Sequence, residues 1–315
     1  MALALDPLRK FSSVCKILLS FLLFGQLHQC LSIRGLTFVL PYYEPRKHYH
    51  ESNIHYSNTE RELVVVDKAL YSLCLTQENY HLIILTPEDQ ADRINYLSLN
   101  RVNVTIFKTS SQKDDCWVSI KERMILEYLK SSNYLENLVF IESDQLFFRN
   151  MMQISDTCEG ADIGFTFTNK VPSNRRKHQS CLNSGIIYVK KATKSVLDFF
   201  REGLQRLDKF IDVNGCHGGS NQNILCQLTA GYLEVGKIRN VSQELKICSI
   251  PRDVFNPERT TCVPKGDLKK VYLSHFVGSK KRSMLKPSCM LEFRKKVASR
   301  HTEKSCDILP VEGAA

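Results

Sequence analysis

Short apolar runs alternate with segments of helical periodicity along most of the chain. The first apolar run, 36–40, is closed by Pro41, and another, 81–85, is closed by a Thr-Pro pair. Between them, leucines and valines at helical spacing predict a helix over 60–75. A strand, a helix and a second strand in this order are typical of a β-α-β unit.

The same alternation continues to the C-terminal part of the chain. Further strands are predicted at 102–107, 138–141, 163–167, 186–189 and 271–276, and further helices at 119–129, 192–207 and 221–228. Such alternation places parallel strands in a buried sheet. We predict an α/β fold with a mostly parallel central sheet flanked by helices. No linker rich in Pro, Gly or Ser divides it, so one domain is expected over 34–315, with the C-terminal part folding back on the rest.

The first 33 residues follow a different pattern. Arg9, Lys10 and Lys16 precede the apolar run 17–24, which is the order of a secretory signal. This run is shorter than the about 20 apolar residues of a membrane-spanning helix. The segment 1–33 is therefore predicted to be a signal peptide or an uncleaved signal-anchor, with a buried helix as the remaining alternative.

Cysteine usage agrees with export. Of twelve cysteines, ten lie between Cys74 and Cys306, and none of these forms a Cys-x-x-Cys pair. Such spacing argues against a zinc ribbon and suits disulfides in an oxidising compartment. Free buried cysteines in a cytosolic protein are the alternative. Asn103 and Asn240 begin glycosylation sequons. We expect a glycoprotein in the Golgi or ER lumen, as a type II membrane protein, or a secreted one.

Positive charge is concentrated near the C-terminus. The chain has 315 residues and a formal net charge of +10, and the segment 265–304 holds twelve Lys and Arg against three acids. A basic segment of this kind suits a phosphate-rich ligand, a membrane surface or nucleic acid, or is simply a solvated face. Nucleic acid is the least favoured partner, because aromatic residues do not alternate with the basic ones.

Two carboxylates stand where a predicted strand ends. Glu142 and Asp144 follow the strand 138–141, and ligands of open α/β sheets bind beyond the carboxyl ends of strands. Acids at positions i and i+2 can reach one hard cation, such as Mg²⁺ or Mn²⁺, whose remaining positions suit a diphosphate. The alternative is an ordinary polar turn.

Three later motifs carry residues that suit a ligand. Asn183-Ser184-Gly185 is predicted as a turn before a strand, Asn221 and Gln222 lie at a helix start, and His275 ends a strand before Gly278, Lys280 and Lys281. A histidine can bind a metal, and glycine with lysines can hold phosphates. A simple turn, a helix cap and a structural histidine are the alternatives.

In this order, the four motifs resemble the GT-A glycosyltransferases, in particular the glycogenin-like and related retaining families, over about 35–285. The resemblance implies a nucleotide-diphospho-sugar transferase fold with Mn²⁺ or Mg²⁺. It implies metal ligands at Glu142, Asp144 and His275, a diphosphate loop at Gly278, Lys280 and Lys281, a sugar pocket at Asn183 and Gly185, and Asn221 and Gln222 facing the transferred sugar. It also places the nucleobase near Pro41 and Tyr42 and a donor contact at Lys121.

The chain also departs from the family's pattern. Glu142 stands where an Asp is usual, Asn221 replaces an acid, and no Pro-Trp follows the lysines. We expect a hexosyl or pentosyl transferase that passes a sugar from a UDP-sugar to a glycan or protein acceptor. The alternatives are a non-catalytic nucleotide-sugar or glycan-binding protein and a secreted, disulfide-rich interaction protein.

Overall fold

The apolar runs pair into one large sheet. A computed structural model describes residues 35–43, 59–92, 94, 104–110, 116–131, 136–167, 181–216, 220–257, 262, 270–276, 284, 286–297 and 306. The residues Leu36–Ala315 form one compact unit. The predicted signal segment 1–33 lies outside the described residues. Among the described helices, none combines the length and the apolar character that crossing a bilayer requires.

The strands and helices of the described residues have the following bounds. The strands are β1 (Thr37–Pro41), β2 (His81–Pro87), β3 (Val104–Thr109), β4 (Glu136–Phe140), β5 (Gln145–Phe147), β6 (Ile163–Phe167), β7 (Leu182–Lys191), β8 (Ile238–Asn240), β9 (Lys246–Ile250) and β10 (Leu273–His275). The helices are α1 (Thr59–Thr76), α2 (Trp117–Ser131), α3 (Gln153–Thr157), α4 (Lys194–Asn214), α5 (Ser220–Leu228), α6 (Arg252–Phe255) and α7 (Pro287–Val297).

Eight strands form the central sheet in the order β3-β2-β1-β4-β7-β6-β9-β8. The first four strands of this order are parallel, and so are β6 and β9. β7 runs antiparallel to both of its neighbours, as β8 does to β9. The predicted α/β fold is confirmed, in the form of a mixed sheet in which parallel pairs are the majority.

Both faces of the sheet are covered, which explains why its central strands are mostly apolar. Val39 of β1 packs with residues of α2, α4 and α5 on one face. Its neighbours Phe38 and Leu40 pack with α1 on the other face. Successive side chains of a strand point to opposite faces, so a strand covered on both sides is mostly apolar, and its few buried polar side chains are exceptions that call for a local reason.

Helix α4 shows how local chemistry sets an element's ends. The Thr193 side chain accepts a hydrogen bond from the backbone N–H of Val196, so the helix begins after Thr193 and not at the predicted residue 192. The buried residues recur at helical spacing (Val196, Phe199, Phe200, Gly203 and Leu207). The helix continues beyond the predicted residue 207 to Asn214 and ends at Gly215, whose φ is 77°.

A third apolar cluster joins the C-terminal part to α1. Strands β5 and β10 pair antiparallel, with Gln145 opposite His275. Beneath them lies an apolar cluster that contains side chains of α1. It also contains Phe148 and Phe276, which follow β5 and β10, and Phe293 of α7. The Lys68 ammonium of α1 also donates to the carbonyl of Met284, at 2.6 Å. The small sheet that carries His275 is thereby fixed to the main body of the protein.

Five disulfides cross-link distant parts of the chain. They join Cys74 to Cys306, Cys116 to Cys216, Cys158 to Cys248, Cys181 to Cys226 and Cys262 to Cys289. All ten cysteines from Cys74 onward are used. The spacing in the sequence predicted disulfides but not these pairs.

One predicted boundary is wrong at a residue of interest. Asn183, Ser184 and Gly185 do not form a turn before the strand, since they belong to β7, which begins at Leu182. The pairing of β6 with β7 shifts register between Phe165 and Thr166. Buried hydrogen bonds from other segments reach the Asn183 side chain and the Gly185 carbonyl and keep these residues in the strand. The prediction also missed β5, β8, β9, α3, α6 and α7.

Candidate metal and donor site

Two carboxylates and an imidazole converge beyond the end of β4. Glu142 and Asp144 lie between β4 and β5, and His275 ends β10. His275 Nε2 is 2.9 Å from Glu142 Oε2 and 3.2 Å from Asp144 Oδ1. One ligand atom from each residue lies within 4.8 Å of the others. Two oxygens and one nitrogen in this arrangement fit a divalent metal ion.

Backbone hydrogen bonds place these three side chains. The N–H of Phe276 donates to the carbonyl of Asp144 at 2.9 Å, and the N–H of His275 donates to the carbonyl of Pro257 at 3.0 Å. The Gln145 side chain accepts from the N–H of Glu142 at 3.2 Å. The relative positions of these three side chains thus depend on the pairing of β5 with β10.

Gly185 is needed where it lies. A β-carbon there would be 2.6 Å from Cε1 and 2.8 Å from Nδ1 of His275. Real β-carbons do not approach other atoms this closely, so only glycine lets β7 pass against the imidazole. The contact that requires glycine here is with the His275 ring, and the turn that the sequence predicted at this glycine does not exist.

The cluster is open on one side. The side chains of Asp144 and His275 are 7% and 3% exposed, whereas that of Glu142 is 29% exposed. A ligand would therefore reach the cluster from the side of Glu142. This is the side that lies beyond the carboxyl ends of the parallel strands, where α/β sheets bind ligands.

Lys121 of α2 holds the open carboxylate. Its ammonium lies 2.5 Å from Glu142 Oε1 and donates to the carbonyl of Ser184 at 3.0 Å. Burial would raise the pKa of the Glu142 carboxyl, but Lys121 and His275 together hold that pKa well below its usual value. The carboxylate is thus kept ionised, as a metal ligand must be.

The partners of His275 raise its pKa, whereas the partners of Glu142 lower the pKa of that carboxyl. Burial lowers its pKa, but the carboxylates of Asp144 and Glu142 outweigh burial and raise the pKa to about 9. Without a cation the imidazole therefore carries a proton near neutral pH. A divalent ion would replace that proton, so metal binding and protonation compete at this nitrogen.

A buried amide network supports β7 beside the cluster. Asn183 Oδ1 accepts from the N–H of Gly185 and from Asn256 Nδ2, both at 2.8 Å. Gln145 Nε2 donates to the carbonyl of Gly185 at 2.7 Å. Asn256 also donates to Thr166, at 3.1 Å. The side-chain oxygen Oδ1 of Asn183 therefore holds the strand in place through these two hydrogen bonds.

The remaining predicted residues lie in several places. Asn221 donates to Glu122 of α2 at 2.7 Å, and Gln222 is half-buried in the first turn of α5. Pro41 ends β1, and the N–H of Tyr42 donates to the carbonyl of Leu85 at 2.8 Å. Gly278, Lys280 and Lys281 lie outside the described residues.

Three polar residues beside the site were missed from the sequence: Glu122, Gln145 and Asn256. Glu122 had a detectable signal, because it occupies a helical stripe of otherwise apolar buried positions with Val118, Ile125 and Leu129. Gln145 follows the two acids and precedes an apolar run, so it too was visible as a polar residue at a buried position. Nothing local marked Asn256.

The comparisons with known proteins show a fold. No family model matches the chain, and no curated protein matches its sequence. An active-site mutant of LgtC superposes with a TM-score of 0.52 at 13% identity, over 85% of this chain and 97% of that one. LgtC, a galactosyltransferase, with donor and acceptor sugar analogues gives 0.48 at 12%, over 85% and 98%. Mouse xyloside xylosyltransferase 1 gives 0.48 at 10%, over 76% and 97%.

The chain therefore has the fold of the GT-A glycosyltransferases, as the motifs predicted. At such low identity this likeness establishes the fold and not the activity, since function depends on the site.

Proposed function

We propose that the protein is a metal-dependent glycosyltransferase of the secretory pathway. It moves a hexosyl or pentosyl group from a UDP-sugar to a glycan or protein acceptor. The observation that carries this proposal is the Glu142, Asp144 and His275 cluster, within 4.8 Å, beyond the carboxyl end of β4 in a GT-A fold. The acidic triplet is then a ligand site and not a polar turn.

Glu142, Asp144 and His275 are the proposed ligands of Mn²⁺ or Mg²⁺. When bound, the ion supplies the positive charge that stabilises the diphosphate as a leaving group. Lys121 keeps Glu142 ionised and oriented, through the contact of 2.5 Å. We propose that Gly278, Lys280 and Lys281 close over the diphosphate and add further positive charge.

The other predicted residues complete the donor site in this proposal. Pro41 and Tyr42 contact the nucleobase, Asn183 and Gly185 line the sugar pocket, and Asn221 and Gln222 face the transferred sugar. Retention of the anomeric configuration is proposed on the family resemblance alone. No described residue is assigned as a base or a nucleophile.

The proposed location in the Golgi or ER lumen, or outside the cell, is supported by the disulfides. Five of them use every cysteine from Cys74 to Cys306. Disulfides form and persist in oxidising compartments and are rare in the cytosol. The segment 1–33 is the proposed signal peptide or signal-anchor.

Calorimetry of UDP binding, with and without Mn²⁺, tests the proposal. We expect binding that requires Mn²⁺, and Asp144→Ala should weaken it by at least about 100-fold, since it removes a direct metal ligand. Asp212→Ala is the matched control, because Asp212 is exposed on α4. A folded Asp144→Ala protein with unchanged Mn²⁺-dependent affinity for UDP would refute the site.

A second candidate is a nucleotide-sugar-binding protein without transfer activity. It is motivated by Asn221, which carries no charge where relatives have an acid. Metal-dependent UDP binding without turnover of any UDP-sugar in a panel would favour it. The absence of UDP binding under every condition would instead favour a secreted, disulfide-rich interaction protein.

A further inference from the structure

A second carboxylate lies beside the cluster and has no role so far. Glu122 follows Lys121 in α2 and is only 7% exposed. Its Oε1 accepts a hydrogen bond from Asn221 Nδ2 at 2.7 Å. Its other oxygen, Oε2, is fully buried and has no hydrogen-bond partner among the described residues.

Packing alone does not account for this arrangement. A buried carboxylate oxygen without a partner has lost its water and gained nothing in return, which is unfavourable for folding. The charge of Lys121 offsets part of this cost, but the lysine donates no hydrogen bond to the free oxygen, because the hydrogen bonds of Lys121 go to Glu142 and to the carbonyl of Ser184. Unsatisfied buried groups are rare in native proteins and call for an explanation, such as a functional role or a bound molecule that completes their hydrogen bonding.

A second unpartnered polar atom lies nearby. Ser184 Oγ is buried without a hydrogen-bond partner among the described residues, and Ser184 is 2% exposed. The ammonium of Lys121 donates to the backbone carbonyl of Ser184, and the charges of Lys121 and Glu142 both act on Glu122, so the two unpartnered atoms belong to the same neighbourhood. A carboxylate oxygen and a hydroxyl are the groups with which proteins hold the hydroxyls of a sugar.

We propose that Glu122 binds the transferred sugar: its free carboxylate oxygen accepts a hydrogen bond from a hydroxyl of the donor sugar. Glu122 thereby supplies, from α2, the negative charge that Asn221 does not carry at the start of α5. This inference rests on the proposed function. It makes Glu122 a specificity residue of the sugar pocket, with Asn221 as the residue that positions it.

The test compares UDP with UDP-sugars, since UDP lacks the group that Glu122 would hold. Affinities for UDP, UDP-glucose, UDP-galactose, UDP-xylose and UDP-N-acetylglucosamine are measured with Mn²⁺ for the wild type and for Glu122→Gln. Glutamine keeps the size and can still accept from Asn221, but it places an amide where the free oxygen was. We expect UDP affinity within about twofold of the wild type and a loss of about 10- to 100-fold for at least one UDP-sugar.

The double variant Glu122→Gln/Asn221→Asp is the matched control. It exchanges carboxylate and amide within the same hydrogen-bonded pair, so the charge returns to the pocket from α5. We expect it to recover at least part of the lost affinity for the UDP-sugar.

Two results would overturn the proposal. In one, the ratio of UDP affinity to UDP-sugar affinity is the same in wild type and Glu122→Gln for every sugar. In the other, Glu122→Gln weakens UDP and all UDP-sugars equally and lowers the unfolding temperature, which is what a purely structural carboxylate predicts. Failure of the proposed function has a different signature, because the wild type itself would then not bind UDP with Mn²⁺.

Discussion

Lys121 lies between two glutamates whose environments are opposite. Glu142 is paired with the ammonium at 2.5 Å and with His275 at 2.9 Å, and its side chain is 29% exposed. Glu122 is 7% exposed and receives only the neutral amide of Asn221. The pKa of Glu142 is held well below its usual value, whereas burial raises the pKa of Glu122 against the opposing effects of Lys121 and Asn221.

The difference shows how neighbours give one residue type two uses. A carboxylate surrounded by cationic groups is suited to exchange them for a metal ion. A carboxylate that faces an amide is suited to hold neutral hydrogen-bond donors such as hydroxyls. The resemblance to a family pointed to Glu142 alone, and the contacts of α2 with α5 bring in Glu122.

The largest effect on the free energy of unfolding is expected from removing Lys121, the cation that lies next to both glutamates. Lys121→Met leaves Glu142 with His275 as its remaining cationic partner in a largely buried site, and we expect a loss toward the lower end of the about 3–5 kcal/mol that breaking a buried pair typically costs. Urea unfolding measures the change in the free energy of unfolding. The control is Lys191→Met. The side chains of Lys191 and of its partner Glu136 are 50% and 56% exposed, so a loss of about 1 kcal/mol or less is expected. Equal losses in the two variants would mean that Lys121 is an ordinary surface cation.

The pH dependence of stability should show how strongly His275 interacts with Glu142 and Asp144. Its pKa is raised from the usual 6.5 to about 9, so in metal-free protein its stabilising contribution is complete below pH 6.5. That contribution is lost as the pH rises through about 9, and amounts to something on the order of 3 kcal/mol. With Mn²⁺ the trend reverses, because the ion replaces the proton.

Thermal unfolding with EDTA and with Mn²⁺ across this pH range measures both trends. The stabilisation by Mn²⁺ should grow with pH in the wild type and be absent in His275→Asn. A stabilisation that does not change with pH would exclude His275 as a ligand.

A smaller effect is expected from Gly185→Ala. The added methyl group would lie 2.6 Å from the His275 ring, and overpacking of this kind costs about 1–3 kcal/mol. We expect Mn²⁺ affinity, measured by calorimetry, to fall while the contact between Glu122 and Asn221 is kept. Gly203→Ala is the control. Gly203 lies in the middle of α4, where alanine favours the helix, and the added methyl group would meet Leu228 only at 3.4 Å. If both variants bind Mn²⁺ as the wild type does, the close approach of β7 is not required.

The sequence predicted those elements whose patterns are local. β1, β2 and β6 were placed within two residues of their ends, because each is a short, mostly apolar run of buried residues. β5 and β10 are three residues each and exist only through pairing with one another. β10 was predicted as a longer strand from the apolar residues around it, and β5 was not predicted.

The site was predicted in part for the same reason. Glu142, Asp144 and His275 stood out by their positions at strand ends, and the structure brings them together. The polar start of β7 was taken for a turn, because the side chains of Gln145 and Asn256 that satisfy it come from distant segments. Glu122 was visible as a charged residue at a core position, but its partner Asn221 lies 99 residues away.

The disulfide between Cys262 and Cys289 has a practical consequence for the bench. These cysteines flank His275 in the chain, so the disulfide closes a covalent ring that includes the proposed third metal ligand. A host with a reducing cytosol would produce the chain with this ring open. We expect such material to bind Mn²⁺ poorly even when it is soluble. Preparations for activity assays should therefore come from an oxidising export route, with the thiol count checked before any negative result is interpreted.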